Sequence, residues 1–239
     1  MPGYLSKREL EKIGDRVFRA YLALPEVRSS GRVLRVVPEL LLDGLLGLSV
    51  EYRQLSVDGS VLGMTSYEEV GVELPGSGED LFFMDGETVL IETFLLDPSQ
   101  TGRRNFTILH EGCHHVLKRL FPRDYGAGPS ARRVLRYRGL SNSASREEWQ
   151  VDRLTASVLM PRALVEQAMF LTGQEGRIGM LNALWRPREY KRFCDMCVLL
   201  GVSRQALSIR MKELGLLGES YLGRPNAILD VMMEDDEIV

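Results

Sequence analysis

The 239-residue chain has 44% hydrophobic and 26% charged residues, the proportions of an ordinary globular protein that is large enough to bury a core. Its formal net charge of −3 and its pI near 5.8 provide no overall attraction to nucleic acid or to anionic membranes. Its 3 cysteines do not make a disulfide framework, and neither a secretory signal nor a bilayer-spanning segment is visible. We therefore expect a cytoplasmic protein without membrane contact.

The first half of the chain predicts one long helix, a short second helix at 38–44 and then a small antiparallel sheet. Ser6, with Glu9 three residues later, forms a capping box that starts a helix reaching to residue 24. Between residues 48 and 96, short β-rich runs are separated by Gly, Pro, Asp and Ser, which is typical of antiparallel strands. The predicted strands are 48–55, 61–65, 70–74, 81–83 and 88–95.

Helices dominate the second half. One helix is predicted from Asp97 to about residue 121, a Gly/Pro/Arg-rich connection follows at 122–142, and two further helices cover 145–160 and 161–171. After a linker at 172–179, segments 187–200 and 203–214 predict a helix-turn-helix unit. The expected organisation is one domain at 1–180, the helix-turn-helix unit at 181–218 and an acidic tail at 219–239.

All three histidines of the chain lie in the stretch His-Glu-Gly-Cys-His-His, residues 110–115. On a helix, His110 and His114 lie one turn apart on the same face, with Glu111 beside them. This H-E-x-x-H arrangement binds one divalent ion and supplies a base. The helical wheel places His115 roughly opposite the apolar stripe, so we expect a surface residue that does not bind the metal.

Two imidazoles need a third protein ligand, which leaves the fourth position of the ion for water. The next helix offers Glu148 and Asp152, one turn apart on one face. Glu148 is the expected ligand, and Asp152 is expected to accept the outer ring N–H of a ligand histidine. Two alternatives stay open from the residues alone: Glu147 as the ligand, and a Glu148 that only completes a capping box with Ser145.

HEGCHH at 110–115, followed by EWQVDRLTASVLMP at 148–161, resembles the ImmA/IrrE family of metallo-endopeptidases. In that family an H-E-x-x-H helix precedes a Glu, a three-residue gap, an Asn or Asp, and a helix running to Leu-Met-Pro. The resemblance extends over most of residues 1–218. Val151, Leu154 and Thr155 differ from the residues usual in the family, but all three are at packing positions.

The resemblance implies an α+β fold with a zincin-like metallopeptidase domain and an appended helix-turn-helix unit. It implies Zn²⁺, or alternatively Mn²⁺, bound by His110, His114 and Glu148, with Glu111 as the catalytic base. The implied activity is cleavage of a protein substrate, a helix-turn-helix transcriptional repressor, in stress response or mobile-element control.

Candidates for substrate contact lie around the connection between the two ligand helices. Tyr125, Tyr137 and Arg136 are candidate oxyanion or substrate contacts, although a surface position is the default expectation for each. Four arginines between 132 and 138 are either a solvated loop or a landing site for an acidic substrate segment. Strand 88–95 precedes the motif helix, and in proteins resembling this one such an edge strand pairs with the extended substrate.

Other functions stay open. If the helix-turn-helix unit bound DNA, Arg204, Gln205, Ser208 and Arg210 would lie on its groove-entering helix. The acidic chain instead favours a hairpin that packs on the protein. Alternatives to an enzyme are a non-catalytic regulator with a structural metal and an antitoxin-like binding protein. A structural zinc normally has four protein ligands, and finding three good ones plus a Glu111 base favours the enzyme.

Overall fold

The computed structural model describes residues 4–76, 81–125, 134–139, 145–224 and 226, and the chain divides into two compact units. The first unit is Met1–Pro161 and the second is Arg162–Val239. Both units contain helices and strands, which confirms the predicted α+β class. The division lies before the helix at 162–171, whereas the sequence-predicted boundary lies after it, at residue 180. Most of the predicted acidic tail lies outside the described residues.

In the first unit the helices are α1 (Lys7–Ala23), α2 (Pro25–Ser29), α3 (Pro38–Leu41), α4 (Thr101–Leu120) and α5 (Arg146–Leu159). A π-helical turn follows α3 at Leu42–Leu46, and 3₁₀ turns precede α4 at Thr93–Leu96 and Pro98–Gln100. The strands of this unit are β1 (Ser49–Arg53), β2 (Gly63–Ser66), β3 (Val70–Val72), β4 (Phe82–Met84), β5 (Thr88–Glu92) and β6 (Val134–Tyr137).

The elements of the second unit are α6 (Arg162–Leu171), β7 (Ile178–Leu181), α7 (Pro187–Leu200), α8 (Arg204–Glu213) and β8 (Leu217–Ser220). No described helix in either unit combines the length and the apolar character that crossing a membrane requires.

Helix α1 begins as predicted and supports α5. The Ser6 hydroxyl accepts a hydrogen bond from the backbone N–H of Glu9 (3.3 Å), and the Glu9 carboxylate accepts one from the backbone N–H of Ser6 (2.8 Å). The helices pack so closely that a Cβ on Gly14 would lie 1.9 Å from the Ser157 hydroxyl. The glycine therefore lets α1 approach the helix that carries Glu148.

The main sheet of the first unit is mixed, with strand order β1-β5-β2-β6. β1 pairs with β5 in parallel, while the β5–β2 and β2–β6 pairs are antiparallel. The predicted all-antiparallel sheet is therefore wrong for one pair, and β3 with β4 forms a separate antiparallel hairpin. Alternation of apolar and polar residues indicates which face of a strand is buried, but not which strand lies next to it or in which direction.

The predicted edge position of strand 88–95 is also wrong. β5 lies between β1 and β2, and Val89, Leu90 and Ile91 are each fully buried. Such a continuous apolar run covers both faces of a strand and is typical of the interior of a sheet. Among the described strands, β1 and β6 form the edges of this sheet, and β6 lies within the connection where no strand was predicted.

Helix α4 is buried on nearly all sides. Every residue from Asn105 to Leu117 is buried, although a single apolar stripe was predicted. The π-helical turn approaches the motif directly, since a Cβ on Gly112 would lie 2.5 Å from the Leu42 Cδ1 atom. Gly112 therefore lets the motif helix sit against this turn.

In the second unit, α7 and α8 are joined by Gly201 in the left-handed conformation (φ 67°) and flanked by the parallel strands β7 and β8. The predicted linker 172–179 runs into β7. Arg210 and Ser208, two of the four residues named for DNA contact, are only 1% and 5% exposed. They face the interior of the unit rather than a DNA groove.

The cysteines are free thiols, as predicted. Cys113 and Cys197 are buried, and burial raises the pKa of each thiol to about 12. Cys194 is half-buried. Two of the three are thus unreactive core residues at neutral pH.

Candidate metal centre

Helices α4 and α5 bring the predicted ligands together. One ring nitrogen of His110, one of His114 and one carboxylate oxygen of Glu148 all lie within 4.8 Å of one another. Glu148 contacts both rings, whereas Asp152 contacts only His110 and Glu147 contacts only His114. Because the partners run in opposite order along the two helices, α4 and α5 are antiparallel at the site.

His110 is fully buried between two carboxylates. Its Nε2 lies 3.1 Å from Glu148 Oε2, and its Nδ1 lies 3.0 Å from Asp152 Oδ1. Burial alone lowers the pKa of His110, but hydrogen bonding with Asp152 and Glu148 outweighs it and raises the pKa to about 9. Asp152 thus lies beside the outer ring nitrogen, and Nε2 is directed at Glu148.

His114 has the same orientation with longer contacts. Its Nε2 lies 3.7 Å from Glu148 Oε1, and its Nδ1 lies 3.8 Å from Glu147 Oε1. Both ring nitrogens are buried without a hydrogen-bond partner among the described residues. A buried polar atom without a partner costs about 1–3 kcal/mol, so this ring needs a further ligand on at least one side.

These distances suit a small cation. Ligand atoms at about 2.0–2.2 Å from a tetrahedral ion lie roughly 3.3–3.6 Å from each other. The two histidine-to-Glu148 contacts, 3.1 Å from His110 to Oε2 and 3.7 Å from His114 to Oε1, are close to that range. The donor set of two imidazole nitrogens and one carboxylate oxygen is one that zinc accepts in catalytic sites. The residues present therefore fit a divalent ion after side-chain movements of about an ångström or less.

Glu111 lies beside these ligands and is fully buried. Neither of its carboxylate oxygens has a hydrogen-bond partner among the described residues. Strand β2 covers it so closely that a Cβ on Gly63 would lie 2.5 Å from Glu111 Oε1. Burial raises the pKa of Glu111 to about 8, because a charge is poorly solvated there. An unpaired buried carboxyl lowers the stability of a folded protein, so folding alone gives no reason for a glutamate at this position.

Glu148 takes part in the cap of α5 through its backbone, and its side chain is directed at the histidines. Its backbone N–H donates to the Ser145 hydroxyl (3.1 Å), which caps α5, while its side chain faces the histidines. Glu147, the rival ligand, lies on the Nδ1 side of His114, away from the point where both Nε2 atoms converge.

The prediction that His115 lies on the surface is wrong. Its side chain is buried, its Nε2 is 2.8 Å from the Thr65 hydroxyl, and the Tyr67 ring meets it edge-on at 5.3 Å. Burial lowers the pKa of His115 to about 4, so the ring is neutral. The helical wheel showed one apolar stripe, whereas β2 and Tyr67 cover the opposite face of α4. His115 is absent from the ligand cluster, consistent with its predicted non-coordinating role.

The tyrosines of the connection are also buried rather than on the surface. The Tyr137 ring stacks on His110 at 3.8 Å, at the end of edge strand β6. Tyr125 is 1% exposed, and burial raises the pKa of its hydroxyl to about 12. Arg136 is exposed, Arg138 donates to the Ser60 hydroxyl (3.0 Å), and Arg132 and Arg133 lie outside the described residues.

Three neighbours of the site on or just after β2, namely Gly63, Thr65 and Tyr67, were not identified from the sequence. The hydroxyl of Tyr67 donates to the backbone carbonyl of His114 (3.4 Å), and burial raises the Tyr67 pKa. Nothing in the local sequence of β2 indicates that it crosses the motif helix, because that contact depends on the sheet order.

A comparison with models of protein families and a search of the curated proteins each found no match to the chain. The geometry of the site and the motif residues therefore carry the functional argument.

Proposed function

We propose that the protein is a metal-dependent endopeptidase of the kind found in the ImmA/IrrE family, which its motifs resemble. The observation that carries the proposal is the convergence of His110, His114 and Glu148, with the unpaired buried carboxyl of Glu111 beside them. In this proposal the first unit is a zincin-like domain and works in the cytoplasm.

The proposed ion is Zn²⁺, with Mn²⁺ as the second choice, held by Nε2 of His110, Nε2 of His114 and a carboxylate oxygen of Glu148. A divalent ion bound there acidifies a water and polarises a peptide carbonyl. Three protein ligands leave a position for water, which distinguishes a catalytic site from the four-ligand arrangement of a structural one.

Glu111 is the proposed base. It is not needed as a ligand, and its oxygens have no hydrogen-bond partner among the described residues that would hold them away from a water on the proposed ion. A divalent ion bound beside Glu111 would lower the pKa that burial raises and so favour its carboxylate form. In the proposed reaction Glu111 accepts a proton from the attacking water and returns it to the amine that leaves when the peptide bond breaks. Gly63 leaves the space that this carboxylate occupies.

Substrate alignment is assigned to β6 in place of the interior strand β5. β6 is an edge strand, and edge strands can pair with an extended peptide. Tyr137 ends this strand and stacks on the proposed ligand His110, whereas Arg136 is exposed. Tyr137 is therefore the preferred of the three candidate oxyanion or substrate contacts.

The proposed substrate is a helix-turn-helix repressor, which the family resemblance suggests. The second unit is proposed to serve the peptidase rather than to read DNA. Its helix α8 buries Arg210, which lies 3.8 Å from Glu213, and its exposed Arg204 donates to the Tyr190 hydroxyl (2.8 Å). Too few cations remain on α8 to anchor a monomer on phosphates.

The test is incubation of the purified protein and Zn²⁺ with the helix-turn-helix repressor encoded beside its gene, followed by intact mass measurement. Wild type should give two fragments whose masses sum to the repressor plus one water. Glu111→Gln should give none while it binds as much zinc as wild type, because the change removes a base and not a ligand. Cleavage by Glu111→Gln, or equal cleavage in excess chelator, would contradict the mechanism.

A further inference from the structure

We propose that Glu147 is a positioning residue: its carboxylate accepts a hydrogen bond from Nδ1–H of His114 and holds Nε2 of that ring toward the metal. This inference rests on the proposed metal site and adds to it a second carboxylate–histidine pair. Glu147 itself touches neither the ion nor the substrate.

The unsatisfied ring of His114 motivates the assignment. The side chain is 1% exposed, and both nitrogens are buried without a hydrogen-bond partner among the described residues. A metal ion can occupy only one of the two nitrogens. The other still needs an acceptor, and the nearest carboxylate oxygen on its side is Glu147 Oε1 at 3.8 Å.

His110 has a carboxylate at the same position and at a shorter distance. Its Nε2 faces Glu148 and its Nδ1 faces Asp152 at 3.0 Å. The His114 ring has the same polarity, with Nε2 toward Glu148 and Nδ1 toward Glu147. A carboxylate on the outer nitrogen fixes the tautomer of a ligand histidine and raises its basicity.

The distance from His114 Nδ1 to Glu147 Oε1 is only slightly longer than a hydrogen bond. A charge-assisted N–H···O bond is about 2.7–2.9 Å long, so the gap must close by roughly 1 Å. Glu147 can supply this movement, because its side chain is 28% exposed and lies at the N-terminal end of α5. By contrast, Glu147 is poorly placed as a ligand, since the convergence point of the two Nε2 atoms lies on the other side of the His114 ring.

Glu147 also lies in the first turn of α5, where any acid is favoured by the helix dipole. In addition, any negative charge near the site raises the affinity of the protein for a divalent ion. The experiment must therefore separate a hydrogen bond from a charge. Glu147→Gln removes the charge and keeps an acceptor oxygen, whereas Glu147→Ala removes both.

The measurement is zinc affinity by competition with a chromophoric chelator, on the full chain. Glu147→Ala should weaken zinc binding about 10–100-fold, the range for such partners, and Glu147→Gln should lie between it and wild type. Glu189→Ala is the matched control, because Glu189 is a first-turn acid of α7 with 33% exposure. It should bind zinc as wild type does.

A second measurement reports the hydrogen bond directly. The chain has only 3 histidines, so ¹⁵N-histidine labelling gives a spectrum that can be assigned by single substitutions. In the zinc-loaded protein, Nδ1–H of His114 should give a downfield proton signal that shifts in Glu147→Gln and is lost in Glu147→Ala.

Equal zinc affinity in wild type and Glu147→Ala would overturn the inference and leave the metal site intact. Equal losses in Glu147→Gln and Glu147→Ala, with an unchanged His114 signal, would overturn it in favour of a charge effect. Complete loss of zinc in both Glu147 variants but retention in Glu148→Gln would make Glu147 a ligand and also contradict it. A wild type that binds no zinc would refute the proposed function together with this inference.

Discussion

Replacing Gly63 by alanine should damage the site without removing any ligand. The added Cβ would lie 2.5 Å from Glu111 Oε1 and 2.7 Å from Thr107 Cγ2. Comfortable contacts between such atoms are about 3.5–4.0 Å, so these neighbours must move by roughly 1 Å. The backbone of Gly63 cannot retreat easily, because β2 pairs with Ile91 on one side and with Tyr137 on the other.

Two magnitudes follow from this crowding. Overfilling a packed interior typically costs about 1–3 kcal/mol, so the free energy of unfolding should fall by that amount. A displacement of about 1 Å at a reacting group can cost on the order of 100-fold in rate, which is the expected loss of repressor cleavage. Zinc affinity should stay close to wild type, because the three atoms nearest to the new methyl group belong to Glu111 and Thr107 and not to a ligand.

Urea denaturation, chelator competition and repressor cleavage measure the three effects. Gly179→Ala is the matched control, because Gly179 lies in β7 and a Cβ there meets nothing within 4 Å. Adding Thr107→Ser to Gly63→Ala removes Cγ2 and should restore part of the lost stability. Wild-type stability and cleavage in Gly63→Ala would refute the placement of Glu111 against β2.

Three further predictions concern the surroundings of the site and the second unit. Asp152→Ala should weaken zinc binding about 10–100-fold in chelator competition, because it frees the outer nitrogen of His110, and an unchanged affinity would count against this role. His115→Ala should lower the free energy of unfolding by about 1–3 kcal/mol, because it leaves the Thr65 hydroxyl without its partner. The variant should still carry one zinc ion per chain in mass spectrometry, and loss of the zinc would make His115 a ligand. Arg210→Met should lower the stability of the protein in urea more than Arg204→Met does. Gel-shift assays of the wild type should detect no sequence-specific DNA binding. Specific binding that Arg204→Met abolishes would favour the alternative in which the second unit reads DNA.

The parts of the fold that depend on neighbouring residues were predictable. The Ser6 capping box, the helix carrying His110 and His114, and the helix from Ser145 to Pro161 all follow from local spacing and end signals. The parallel β1–β5 pair and strand β6 were not predictable, because strand order depends on long-range pairing that alternation does not encode.

The same division applies to the site. The spacing of His110 and His114 fixes their shared face, and the acids one turn apart on the next helix identified Glu148 and Asp152 as candidates. The burial of His115 was missed because a helical wheel shows only one helix and not what covers it. In the structure, Thr65 in β2 and Tyr67 just after it contact His115 and bury it.

The most direct measurement is a zinc-loaded crystal structure with anomalous data collected at the zinc edge. We expect one ion per chain, at about 2.0–2.2 Å from Nε2 of His110, Nε2 of His114 and a carboxylate oxygen of Glu148. The fourth ligand of the ion should not come from the protein. Glu111 should lie next to that fourth position without binding the ion. An ion closed by a fourth protein ligand, such as Glu111, would indicate a structural metal, and an ion elsewhere in the chain would contradict the site itself.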